Sequence, residues 1–266
     1  MRYELGFVGA GNMAEAIARA AIDHSVVTAD RMIAADPVEA RRNLFATLGI
    51  TVVDDNAKVI RESKQIMLAI KPQTLAQLGD DLGAIDTQRQ VVLSIMAGIS
   101  TRKIEQTIGG PARVVRIMPN TPLMVGRGMA GVALGQHARP DDDALAMKLF
   151  NAAGVAIRVD ESALDAITAV SGSGPAYLFY LAEAMEQAAA ELGLGEHAQL
   201  LVQQTLLGAA TLLAQSPDTA AELRGKVTSP GGTTEAAVKH LGSNATTQVI
   251  INAVKAAWQR SKELGD

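Results

Sequence analysis

The sequence predicts an α/β chain, with a doubly wound parallel sheet over residues 1–160 and an all-helical region over residues 161–266. Three observations carry this expectation. Short apolar runs alternate with helical patterns through the first half, which is the signature of strands joined by crossover helices. A glycine-rich turn links the first run to the first helix. Beyond about residue 160 the short runs stop and only helical periodicity remains.

The first run, Leu5-Gly6-Phe7-Val8, is short and apolar enough for a buried strand. It leads into Gly9-Ala10-Gly11-Asn12-Met13-Ala14 and then a helical pattern over 14–22. This is the G-x-G-x-x-A form of the dinucleotide fingerprint, in the strand-to-helix context it requires. Gly9 permits the tight turn, Gly11 lets a pyrophosphate reach the helix N-terminus, and Ala14 lets helix and strand pack closely. A Rossmann-type domain follows from this. The second strand, 32–35, ends at Asp36, whose carboxylate suits ribose hydroxyls and so favours NAD. Arg41 and Arg42, on the helix expected over 37–48, are read as a solvated face, with a 2′-phosphate as the alternative partner. Further strands are expected at 51–53, 65–70, 91–95 and 113–117, and further helices at 57–62 and 101–107.

Ligands of such sheets bind beyond the carboxyl ends of the strands. The residues there are Gly9 to Met13, Asp36, Ala69-Ile70-Lys71-Pro72, Met96-Ala97-Gly98 and Met118-Pro119-Asn120-Thr121-Pro122. Lys71 is a candidate phosphate partner or a solvated loop lysine. Asn120 is an uncharged donor suited to a carboxamide or a substrate carboxylate. With Asn56, these positions make the cofactor set Gly9, Ala10, Gly11, Asn12, Met13, Asp36, Asn56, Ala69, Ile70, Lys71, Pro72, Met96, Ala97 and Gly98, while Asn120 goes to the substrate.

Helices are expected at 163–170, 175–192, 196–215, 218–226, 235–241 and 245–264. Residues 176–182 and much of 200–213 are apolar on nearly every side. A helix of that kind must be covered all round, and a region of this size has too little interior, so burial against a second chain is expected. Gln199, Gln203, Gln204 and Gln215 argue against a membrane span here.

Near the end, Val227-Thr228-Ser229-Pro230-Gly231-Gly232-Thr233-Thr234-Glu235-Ala236-Ala237-Val238 puts two glycines and four hydroxyls at the mouth of a helix. The free N–H groups of a first turn carry partial positive charge, and the hydroxyls add donors without adding charge, so the segment suits an anion. The alternative is an ordinary capped turn, with Thr233 or Thr234 as N-cap and Pro230-Gly231 forming the bend.

Composition narrows the chemistry. The 266 residues are 48% hydrophobic and carry a net charge of −4 with both signs interspersed, which points to neither nucleic acid nor an anionic membrane. There are no cysteines, which removes thiolate chemistry and suits a reducing compartment, and the opening residues lack a signal peptide's apolar stretch. A cytoplasmic protein is expected. The four histidines, His24, His137, His197 and His240, show no metal-ligand spacing and are read as solvated. No metal site is expected. The β-hydroxyacid dehydrogenases share this architecture but carry a catalytic lysine in the second half. This chain has no lysine between Lys148 and Lys226. A non-catalytic dinucleotide-binding regulator is a further alternative, against which the Ser229–Thr234 loop counts.

Together these segments resemble the pyrroline-5-carboxylate reductase family over essentially the whole chain. The resemblance rests on Phe7 to Met13, Ala69 to Pro72, Ala97-Gly98, Arg116 to Pro122, Val170 to Tyr177, and most specifically Val227 to Thr234 followed by Ala237-Val238 and Leu241. It implies reduction of L-Δ1-pyrroline-5-carboxylate to L-proline by NADPH or NADH. It also implies a helical domain that interlocks with a second copy, at least as a dimer, with the site shared between chains. Substrate would be held by Ser229, Gly231, Gly232, Thr233 and Thr234. The Thr234 hydroxyl would face the ring nitrogen as the catalytic residue, although a threonine is a poor general acid by itself. Substrate bound as the iminium, or protonated through water, avoids that difficulty. Many members of the family carry Asn-Arg after the second strand where this chain has Ala35-Asp36, which implies that NADH is accepted.

Overall fold

The computed structural model describes residues 1–265 and separates into two compact units. The first comprises Met1–Ser173 together with the chain from Ala257 onward, and the second is Gly174–Ala256.

The first unit holds one eight-stranded sheet in the order β3-β2-β1-β4-β5-β6-β7-β8. Its strands are β1 (Tyr3–Val8), β2 (Met32–Ala35), β3 (Thr51–Val53), β4 (Ser63–Leu68), β5 (Val91–Ser94), β6 (Val114–Met118), β7 (Gly128–Leu134) and β8 (Gly154–Arg158). β1 pairs in parallel with both β2 and β4, so the strand order reverses there, and the crevice of a doubly wound sheet opens at such a reversal. Parallel pairing continues to β6. β7 then runs antiparallel to β6, and β8 parallel to β7.

Each central strand is buried on both faces, which is why these segments read as unbroken apolar runs. On one face Leu5, Phe7, Met32 and Leu93 pack against α1 (Asn12–Asp23) and α2 (Glu39–Thr47), with Phe7 meeting Phe45 edge to face at 5.9 Å. On the other, Val8, Ile33, Ile66 and Val92 pack against Val59 and Ile60 of α3 (Asn56–Glu62), Leu82 of α4 (Gly79–Leu82), and Ile104 and Ile108 of α5 (Thr101–Ile108). Caps define several of these helices. Asp55 accepts the Lys58 N–H at the start of α3, and Ser100 accepts the Lys103 N–H at the start of α5.

The six expected strands are present, and the structure adds β7, β8 and the helix between them, α6 (Ala144–Ala152). β7 contains Gly128 and Gly131, which weaken its strand signal, and β8 leaves Val155 and Ile157 exposed in five residues. The helix expected at 163–170 is instead a composite. A 3₁₀ turn (Glu161–Ala163) precedes α7 (Leu164–Ile167), and a π-type turn follows at Thr168–Gly172, closed by the Ser173 N–H donating to the Thr168 carbonyl.

The second unit consists of α8 (Gly174–Glu191), α9 (Ala198–Gln215), α10 (Ala220–Lys226), α11 (Thr233–Ser243) and most of α12 (Thr246–Gly265), whose last turns belong to the first unit. α10 opens with a capping box. Thr219 receives the Glu222 N–H, and the Glu222 carboxylate receives that of Thr219. Among the described residues no helix is long and apolar enough to cross a membrane.

One polar cluster stabilises the start of β6. Arg113 forms a two-pronged pair with buried Asp142, its Nε at 2.9 Å from Oδ2, and the Arg139 N–H donates to the same carboxylate at 2.7 Å. Burial pushes the Asp142 carboxyl upward, but the bonds from Arg113 and Arg139 outweigh it and hold the group below the usual carboxylate range. A depressed carboxyl contributes stability above its unfolded pKa and loses it as pH falls through the folded value. Asp142→Ala is therefore expected to cost about 3 kcal/mol, as for one partner removed from a buried ion pair. In calorimetry at neutral pH its Tm falls well below wild type, and the gap narrows below about pH 4.

Candidate active site

The turn after β1 is held from three sides. The Gly9 N–H donates to the Ala35 carbonyl at 2.9 Å, the Ala69 N–H to Val8 at 2.9 Å, and the Ala10 N–H to Asp36 Oδ2 at 2.7 Å. Gly9 has φ +95°, and a Cβ on it would stand 2.7 Å from the Ala69 carbonyl oxygen, so only glycine fits between the ends of β1 and β4. At Gly11 the opposite holds, since a Cβ there would meet no heavy atom within 4 Å. The N–H groups of Gly11, Asn12 and Met13 have no acceptor among the described residues. Free donors, open space and the positive end of the α1 dipole fit a pyrophosphate.

The expected cofactor residues converge at the carboxyl ends of the first five strands. Gly9 to Met13 follow β1, Asp36 follows β2, Asn56 opens α3 after β3, Ala69 to Pro72 follow β4, and Met96 to Gly98 follow β5. Their exposure differs. Asn12 and Lys71 are exposed, while Met96 is buried and Gly98 lies beneath Leu264 of α12. Asn56 donates to Asp81 at 3.3 Å.

Asp36 has a second task beyond the one expected. Its Oδ1 accepts the Val38 N–H at 2.9 Å while Oδ2 holds Ala10, so the carboxylate clamps the glycine turn to the start of the next loop. Arg41 and Arg42 are half-buried, which corrects the expectation of a solvated face. Arg41 donates to the Ala10 carbonyl and pairs with Glu15 at 3.0 Å, and Arg42 donates to the Asp36 and Pro37 carbonyls at 2.7 and 3.0 Å. Spacing alone did not reveal this, because the partners lie on a helix and a turn apart in sequence.

Asn120 has partners within the first unit. It is buried, its Nδ2 donates to the carbonyl and hydroxyl of Ser171 at 3.1 Å each, and its Oδ1 accepts the Met129 N–H at 2.8 Å. Its amide thus joins the β6 end, β7 and the π-type turn.

In the second unit the loop before α11 has the form of an anion cradle. Gly232, not Thr233 or Thr234, is the N-cap, and it contributes no side-chain bond. Thr233 and Thr234 accordingly occupy the first two helical positions. The N–H groups of Thr233, Thr234 and Glu235, and the hydroxyls of Ser229, Thr233 and Thr234, have no partner among the described residues. Two further loop amides are occupied. Gly232 donates to the Ser229 carbonyl at 3.0 Å and Gly231 to Glu235 Oε2 at 2.8 Å. The neighbouring cation Lys226 is paired with Asp218, whose carboxyl it holds below the usual range. The free N–H and hydroxyl donors of the loop itself are uncharged.

All four histidines are exposed, and no group of three or more His, Asp or Glu among the described residues is gathered to hold a metal. Of these, His137 contacts Glu105 at 2.9 Å.

Comparison with known proteins agrees along the full length. Residues 161–264 match the family described as pyrroline-5-carboxylate reductase dimerisation, and residues 4–98 match NADP oxidoreductase coenzyme F420-dependent. The pyrroline-5-carboxylate reductase of Methanosarcina acetivorans is 40% identical over 98% of this chain and 98% of its own. The solved structure of a pyrroline-5-carboxylate reductase from Coxiella burnetii superposes with a TM-score of 0.87, at 35% identity and complete coverage of both chains. That of the Plasmodium falciparum enzyme, with NADP bound, gives 0.87 at 28% identity, covering 99% of this chain and 98% of that one. The chain belongs to the pyrroline-5-carboxylate reductase family.

Proposed function

We propose that this chain reduces L-Δ1-pyrroline-5-carboxylate to L-proline with NADPH or NADH, the last step of proline synthesis. One observation carries the proposal: a member of this family has both an open helix N-terminus behind β1 and an uncharged anion cradle at the head of α11. Bound behind β1, a reduced nicotinamide dinucleotide supplies hydride. Gly11, Asn12 and Met13 hold its pyrophosphate through their free N–H groups, and Asp36 faces the adenosine ribose. Ser229 and the amides of Thr233 and Thr234 hold the substrate carboxylate. The Thr234 hydroxyl faces the ring nitrogen.

These residues have mainly to align a reactant that is already electrophilic. A cyclic imine, especially when protonated, needs little activation, and alignment alone lowers a barrier by as much as about 7–11 kcal/mol. Thr234 donates a hydrogen bond or passes on a proton from water.

We also propose that the second unit pairs with a second copy, forming at least an intertwined dimer in which residues of both chains complete each site. Leu178, Phe179, Tyr180 and Leu181 on α8 are 48–76% exposed, and Leu207, Leu212 and Leu213 on α9 are 49–62% exposed. Large apolar side chains exposed on several sides of these two helices are what a partner covers. We place the protein in the cytoplasm, which the absence of cysteine suits.

The direct test is loss of absorbance at the reduced-nicotinamide band when the purified protein meets pyrroline-5-carboxylate. Turnover is expected, and a folded protein that binds dinucleotide but gives none refutes the assignment. Thr234→Ala is expected to lower kcat/KM about tenfold to a hundredfold, the loss of one hydrogen bond to a charged group. Its cofactor Kd should stay at the wild-type value, and an equal fall in cofactor binding would move Thr234 out of the substrate site. Asp36→Asn keeps an acceptor for Ala10 and removes the charge, so the NADPH-to-NADH ratio of kcat/KM should rise roughly tenfold. An unchanged ratio means that Asp36 does not face the ribose. Phe179→Asp should shift the sedimenting species toward monomer, and an undiminished dimer would place the interface elsewhere.

A further inference from the structure

We infer that Glu235 is a positioning residue of the substrate loop, a role that rests on the reaction proposed above. Glu235 is the third residue of α11, where a carboxylate ordinarily reaches back to the N-cap amide, as Glu222 does for Thr219 at the head of α10. At α11 the pattern is displaced by one residue. The Gly232 N–H is already taken by the Ser229 carbonyl, and the Glu235 carboxylate reaches past it to the Gly231 N–H at 2.8 Å. Gly231 has φ +72°, a left-handed conformation that glycine favours, and a Cβ on it would stand in open space. Its N–H is held by a side-chain hydrogen bond, the one to Glu235.

Two consequences follow for the loop. A serine, threonine or aspartate cap at position 232 would place its own oxygen on a first-turn N–H. Glycine at the cap, with Glu235 bracing the loop from one residue farther out, keeps Thr233, Thr234 and Glu235 as free donors while the turn stays rigid. The second consequence is electrostatic. A carboxylate beside an anion site would repel the substrate, but Glu235 Oε1 pairs with Lys239 Nζ at 3.2 Å, four residues along the same helix face. Glu235 supplies the brace, and Lys239 neutralises it.

Two conservative substitutions separate this role from general helix support. Glu235→Asp retains the charge and the favourable dipole position at the helix start, but is one methylene too short for Gly231. Glu235→Gln retains the reach and an acceptor oxygen but loses the charge. With wild-type turnover established on the same preparation, Glu235→Asp should raise KM for pyrroline-5-carboxylate about three- to tenfold, with a smaller change in kcat and an unchanged NADPH Kd. Glu235→Gln should return KM to within about twofold of wild type, as expected when the bond to Gly231 is kept. A KM unchanged in Glu235→Asp overturns the inference while leaving the reaction intact. So does a KM that falls, because Glu235 would then be a competitor for the Gly231 amide. Absence of wild-type turnover is a different failure and strikes the reaction itself.

Discussion

The end of β1 is fixed by backbone bonds that converge within three residues, and the rest of the nucleotide end is arranged around that point. Gly9 is tied to β2, Val8 to the residue following β4, and Ala10 to the carboxylate that follows β2. Each such bond is worth only about 1 kcal/mol net. Leaving any of these groups unpaired in a buried setting costs more, so the turn has essentially one geometry available. That geometry determines where α1 begins and where its free amides point. The strand order makes the same spot the reversal point of the sheet, so the gap between neighbouring helix layers and the donors face one place.

Legibility in the sequence followed the range of the forces involved. Buried parallel strands and the fingerprint turn depend on local composition, and β1 to β6 were readable for that reason. β7 and β8 were not, because glycine and exposed valine or isoleucine leave them no distinctive pattern and the sheet edge supplies their order. At the site, Gly9, Gly11 and Asp36 announced themselves by spacing. The clamp that Asp36, Arg41 and Glu15 form across the turn did not, since those contacts join α1, the residues after β2, and α2. The bonds of Asn120 are hidden for the same reason: an uncharged amide at a strand end looks alike in sequence whether or not it bonds Ser171. The Gly232 cap is not distinguished in sequence because threonine and glycine cap about equally well, and here a cap without a side chain leaves donors free.

The two groups of unpaired donors are built differently. Behind β1 the donors are backbone amides of one turn, with arginines drawn into supporting contacts with Ala10, Glu15, Asp36 and Pro37. Before α11 the nearby lysines are neutralised by Asp218 and Glu235. Recognition by backbone amides and hydroxyls favours orientation over raw attraction. That suits a reaction in which a small ring has to present one face to a hydride donor, because hydrogen bonds are directional and a point charge is not.

The first compact unit is discontinuous in sequence, and this bears on how the protein is made. Arg116, buried in β6, contacts Glu161 and Asp165, and Asp165 accepts a hydrogen bond from Ser261, ninety-six residues later, at 2.8 Å. Domains ordinarily fold in turn as they leave the ribosome. Here the sheet emerges early, but the Ser261 hydroxyl that joins its Arg116–Glu161–Asp165 cluster emerges only after the whole of the second unit. The nucleotide unit therefore reaches its final form only after the second unit has been made, and a chain stopped short of Ser261 would carry the sheet without that closing bond.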